Sequence, residues 1–100
     1  MSIPIDYSEF QDSLLKQNPP KDWPESLKAL WFDAKGDWES SHIIAQDIYN
    51  NLGSWIHAYL HRKEGDEFNA GYWYRKAGKP FSKLSFDDEL KELVQFVLKN

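Results

Sequence analysis

The chain's three histidines, His42, His57 and His61, lie close together in sequence, and Glu39 and Glu64 each stand one helical turn from one of them. Imidazole is the commonest metal-ligating side chain and the one whose proton comes and goes near neutral pH. In Glu39-x-x-His42 and His57-x-x-x-His61-x-x-Glu64 the spacings of three and four put the groups on one face of a helix, an arrangement that suits coordination. Glu39, His42, His61 and Glu64 are therefore the candidate ligands of a nitrogen-and-oxygen site for a divalent metal such as zinc, manganese or iron. The same groups suit acid–base or hydrolytic chemistry, with a carboxylate tuning the imidazole. No HExxH motif or nucleophile elbow is present. Spacings of three and four recur in any helix, so the commoner use of such a cluster is a satisfied polar network holding two helices in register.

The groups must first face one another. At about 100° per residue, His57, His61 and Glu64 form one stripe, with Tyr59, Arg62 and Lys63 on roughly the opposite side. Basic side chains prefer water, so the histidine stripe is expected to face inward. On the preceding helix Trp38, Ser41, Ala45 and Ile48 mark the buried side, with His42 at its border and Gln46 and Glu39 further round. An antiparallel hairpin turning at Asn51-Leu52 levels residues whose numbers sum to about 103. That rule sets His42 beside His61, Gln46 beside His57 and Glu39 beside Glu64.

The elements themselves are punctuated by proline, glycine and capping side chains. Asp6 or Ser8 opens a helix to about Gln17, which Asn18-Pro19-Pro20 stops. Asp22-Trp23-Pro24-Glu25 reads as a capping box for a second helix through Leu27, Leu30 and Trp31, ending at Lys35-Gly36. A third runs from about Trp38 to Tyr49, and Asn50 to Gly53 is the turn. Ser54 is the expected cap of a fourth helix ending at Gly65-Asp66; a fifth runs from about Phe68 to Ala77; and Ser85 opens the last, through Leu90, Leu93, Val94 and Val97. The expected fold is all-α, a small bundle of five or six helices in a single domain spanning 1–100. Its helix pairs cover 24–50 and 54–78, with flanking helices at 7–17 and 85–99.

Gly36-Asp37 and Gly65-Asp66 join two short helices in the same way, and a small residue, Ser41 or Ala70, follows five positions after each glycine. Ala70, Tyr74 and Ala77 then recur at helical spacing, with Pro80 beyond. This pattern over 27–80 resembles the second helix of tetratricopeptide repeats, where a small residue lets paired helices approach closely. Two departures stand out: the units lie about 29 residues apart against roughly 34 in that repeat, and Ala45 replaces an aromatic at the position matching Tyr74. The resemblance implies stacked helix pairs that present a binding groove. The strings Asp37-Trp38-x-x-Ser41-His42, 55–66 (Trp55 to Asp66) and 69–78 (Asn69 to Gly78) are also similar to a family of small uncharacterised proteins, a likeness that implies no activity.

Composition narrows the field. The aromatic supply of 5 Trp, 5 Tyr and 6 Phe suits a small core, and the absence of cysteine excludes disulfides and thiolate metal sites. A net charge of −4 and only scattered basic pairs argue against nucleic acid. No apolar stretch approaches the roughly 20 residues that span a bilayer, and the start lacks signal-peptide character, so the expected setting is cytoplasmic with no membrane partner. Two classes of function remain. One is a helical interaction module for a peptide, protein or small ligand, using His42, Gln46, His57 and His61 together with Arg62, Tyr72 and Arg75. The other is a metal- or small-ligand-binding protein, or an enzyme, built on the His/Glu cluster.

Overall fold

The described residues form six helices, five of them opened by a capping side chain. The computed structural model describes residues 3–99, in which α1 spans Tyr7–Ser13, α2 Glu25–Ala34, α3 Trp38–Ala45, α4 Asn51–Lys63, α5 Glu67–Ala77 and α6 Phe86–Lys99. Asp6 accepts from the Glu9 amide to start α1. Asp37, Asn50, Asp66 and Ser85 start α3 to α6 by the same reach over three residues. At α2 the expected capping box gives way to Pro24 as the cap residue, with no side-chain bond to the helix start. The described residues form no strand, and none of their helices is long and apolar enough to cross a membrane.

The two Gly-Asp joints are geometrically matched. Gly36 and Gly65 sit at φ 86° and 85°, the left-handed conformation that ends a helix at little cost for glycine. The Asp37 and Asp66 amides each donate back, to the Phe32 and His61 carbonyls, at 2.9 Å. Ser41 and Ala70 are both fully buried, where α2 meets α3 and α4 meets α5 in antiparallel pairs. The Ser41 hydroxyl is satisfied by the Ala29 carbonyl at 2.6 Å.

Helix α4 lies at the centre. All of residues 53–60 are buried, with α2, α3, α5 and α6 packed round them. This corrects the expectation that Tyr59 and Arg62 face water, whereas Lys63 is exposed as expected. Tyr59 is buried and donates to Asp33 of α2 at 2.7 Å, and Lys63 reaches the other oxygen of that carboxylate at 2.9 Å. Arg62 turns toward α6, where Glu89 is fully buried. The guanidinium donates to Glu89 Oε1 from Nη2 at 2.7 Å and Nε at 3.1 Å, and lies over the Phe86 ring. Trp55 Nε1 donates to Oε2 at 3.1 Å, and the Tyr74 hydroxyl lies within 2.9 Å of both oxygens. Burial, then the bond to the facing carboxylate, pushes the Tyr74 phenol well above its ordinary value, so it stays a donor. Arg62 faces inward because a buried carboxylate awaits it, and Lys63 reaches another from an exposed position.

Helix α3 stops at Ala45, short of the expected Tyr49, and α4 starts at Asn51 on an Asn50 cap instead of at Ser54. The chain turns through 46–50, with the Ile48 amide bonded to the Ala45 carbonyl. Ile48 then lies hard against the first turn of α4: a Cβ on Gly53 would fall 1.9 Å from its carbonyl oxygen. Gly53→Ala is expected to cost about 3 kcal/mol by overpacking against backbone. Gly36→Ala, with open space but a left-handed φ, should cost about 1–2 kcal/mol. Urea midpoints compare the two, and an equal loss would contradict the close approach. For the buried pair, Glu89→Leu alone should lose about 3–5 kcal/mol. Combining it with Arg62→Met should restore part of that loss; strict additivity would show that the two charges do not depend on each other.

Candidate metal centre

Trp38, four residues before His42, lays its indole parallel to the imidazole at 4.8 Å and donates Nε1–H to the Leu60 carbonyl at 2.7 Å. One side chain thus orients His42 and pins α3 to α4. On α4, His57 and His61 stack at 4.9 Å as an i,i+4 pair. From α5, Trp73 stacks on the far side of His57 at 4.0 Å. His42 stands edge-on to both, with ring centres 4.6 Å from His57 and 5.4 Å from His61. The result is a box of three imidazoles walled by two indoles.

The nitrogens converge. His42 Nε2 and His57 Nε2 lie 2.8 Å apart, so one ring donates its N–H and the other accepts. One nitrogen from each of the three rings falls within 4.8 Å of the others. His61 Nδ1 meets Glu64 Oε1 at 2.7 Å, with Asp66 Oδ2 further off at 3.8 Å. That carboxylate bond to Nδ1 leaves Nε2 as the nitrogen of His61 available to a ligand, an arrangement also used to support metal-bound imidazoles. Burial, then the neighbouring rings, lowers the His57 pKa to about 4, and burial ahead of the His61 charge lowers that of His42. Both rings are thereby neutral at neutral pH, each with one N–H and one free lone pair, and the ring that donates in the His42–His57 bond would have to move its proton to Nδ1 to ligate.

The structure brings together His42, His57 and His61, with Glu64 behind His61. The other sequence candidates stand apart. Glu39 is exposed and joins neither cluster of ligand atoms among the described residues. Gln46 is exposed at the end of α3, on the rim of a cleft that His57 also lines. Arg62 is engaged by Glu89 on the other side of α4, which removes it from a surface ligand site. Tyr72 and Arg75 are exposed on α5. Asn69 donates its side-chain amide to its capping residue Asp66 at 2.7 Å. His42 falls between the levels of His57 and His61 because α3 ends early. The sequence places Trp38 only on the buried side of its helix; its spacing of four from His42 is the signal that marks it as part of the site.

Comparison with protein-family profiles, curated proteins and solved structures yields no match for this chain. The site is therefore read from its own geometry.

In the metal-free protein the depressed His57 pKa has a definite consequence. Between its ordinary 6.5 and about 4 the unfolded chain binds a proton that the folded chain refuses, so stability falls as pH drops through that window. The urea midpoint is expected to decline more steeply from neutral to pH about 4 than that of His57→Gln, by a difference worth about 2–3 kcal/mol. Parallel pH profiles for the two proteins would show that His57 is not held neutral.

Proposed function

We propose that this domain binds a divalent transition metal through His42, His57 and His61. The observation that carries the reading is the convergence of three ring nitrogens from two helices within 4.8 Å. Zinc held tetrahedrally at about 2.0–2.1 Å needs nitrogens about 3.3 Å apart, which small torsions of the rings supply. Neutral rings at His42 and His57, a carboxylate on Nδ1 of His61 and indole walls that fix ring planes all favour it. Three imidazoles with no thiolate suit zinc, copper, nickel or iron above magnesium or calcium. Three protein ligands also leave a coordination position open to water or a small molecule.

A second reading makes the two helix pairs a tetratricopeptide-like interaction module. It is favoured by the matched Gly-Asp joints and by the exposed rings of Phe68 and Tyr72 on α5, beside Arg75. The metal reading explains more of the buried polar chemistry, and the interaction surface is compatible with it.

Metal binding is tested with protein purified without an affinity tag and stripped with chelator. Zinc or cobalt is expected to bind at one equivalent, cobalt with the visible spectrum of a nitrogen-rich tetrahedral site. His57→Gln and His61→Gln should abolish binding, Glu64→Gln should weaken it about 10-fold or more, and Glu39→Gln should leave it unchanged. Failure to saturate, or binding that survives His57→Gln, would reduce the trio to a neutral hydrogen-bonded network.

A further inference from the structure

A cleft of about 420 Å³ opens between the turn that follows α3, the first turn of α4 and one face of α5. Its volume is that of a small-molecule site. The chain carries a net charge of −4, and the four other clefts described are each lined by at least one carboxylate. This one has none, and Lys76 stands among its lining residues. The Lys76 ammonium lies 5.3 Å from the centre of the Trp73 ring and makes no ion pair among the described residues.

Two further features point to an anion. Helix α4 begins in the wall of the cleft, at Asn51. The Gly53 and Ser54 amides are satisfied by Asn50, while those of Asn51 and Leu52 have no hydrogen bond among the described residues. A helix start of this kind favours negative charge. Independently, Ser54 is only 6% exposed, lines the cleft, and has a side-chain hydroxyl with no hydrogen-bond partner among the described residues. That hydroxyl is not sealed off either, since no fully buried side-chain polar atom lacks a partner. Because Ser54 itself lines the cleft, this unpartnered donor is within reach of a ligand there. Ala45, Ile48, Tyr49 and Trp73 supply an apolar part of the wall, and Gln46, Asn50 and His57 complete the lining.

We propose that this cleft binds a small carboxylate with an apolar or aromatic body. The carboxylate takes the Ser54 hydroxyl and the free amides at the start of α4, Lys76 supplies the counter-charge, and the body lies along the apolar wall. This goes beyond the metal reading, because neither Ser54, Lys76 nor the α4 start holds the metal. His57, which lines the cleft and belongs to the trio, joins the two places.

The test uses the full chain stripped of metal, so that its result does not depend on the trio. Benzoate is titrated into isotope-labelled protein, with benzamide as the uncharged analogue of the same shape. Benzoate is expected to shift the amides of Asn51 to Ser54 and the Trp73 indole saturably, and benzamide to bind about 10-fold more weakly or not at all. Lys76→Glu, a change at an exposed position that folding should tolerate, is expected to weaken benzoate by about 10-fold, the equivalent of about 1.4 kcal/mol. Ser54→Ala should weaken it as well. No saturable shift, equal affinity for benzamide, or undiminished affinity in Lys76→Glu would each overturn the proposal.

Discussion

A carboxylate without access to water must be neutralised where it stands, and Glu89 is the point on which this fold turns. Taking such a charge out of water costs several kcal/mol, and the cost is offset only when nearly every lone pair is engaged. Arg62 and Trp55 from α4 and Tyr74 from α5 converge on it. They do so only if α6 docks in one register across both helices. The neighbouring α2 contact repeats the device, with Asp33 gathering Tyr59 and Lys63. Hydrophobic packing brings these helices together, and the two acids decide how they sit.

Because that side of α4 is clamped by acids, the other side is free to carry a different chemistry. The same thirteen-residue helix presents Arg62 and Lys63 to carboxylates and His57 and His61 to aromatic rings. The indoles of Trp38 and Trp73 exclude water and fix ring planes, while Glu64 at the helix end orients the outermost imidazole. Burial disfavours the charged form of His57 and His42, which keeps those two rings neutral near pH 7.

Much of this was legible beforehand, for definite reasons. Helix number and joints follow from Gly36, Gly65 and Gly78 with the capping Asp6, Asp37, Asp66 and Ser85, signals that act within a few residues. The small-residue slots at Ser41 and Ala70 followed from the same offsets. What misled was the rule that cations face water, which holds only when no buried acid is waiting. Glu89 sits on the stripe of α6 that also carries Leu90, Leu93 and Val97, and a carboxylate on an apolar stripe is the local sign that a cation must come to meet it. The end of α3 was misplaced because the 46–50 turn depends on a close contact between Gly53 and Ile48, a tertiary fact with no local mark. Hence Gln46 and Glu39 were grouped with the histidines, although only His42 of that helix reaches them.

The make-up of the histidine trio has a consequence of its own. On the proposed metal reading, a divalent ion among three imidazoles would bring two positive charges that those ligands do not cancel. The nearest protein counter-charges are Glu64 and Asp66 beside the outermost ring, so they would fix the field of the centre from one side only, leaving the opposite side attractive to hydroxide or an incoming anion.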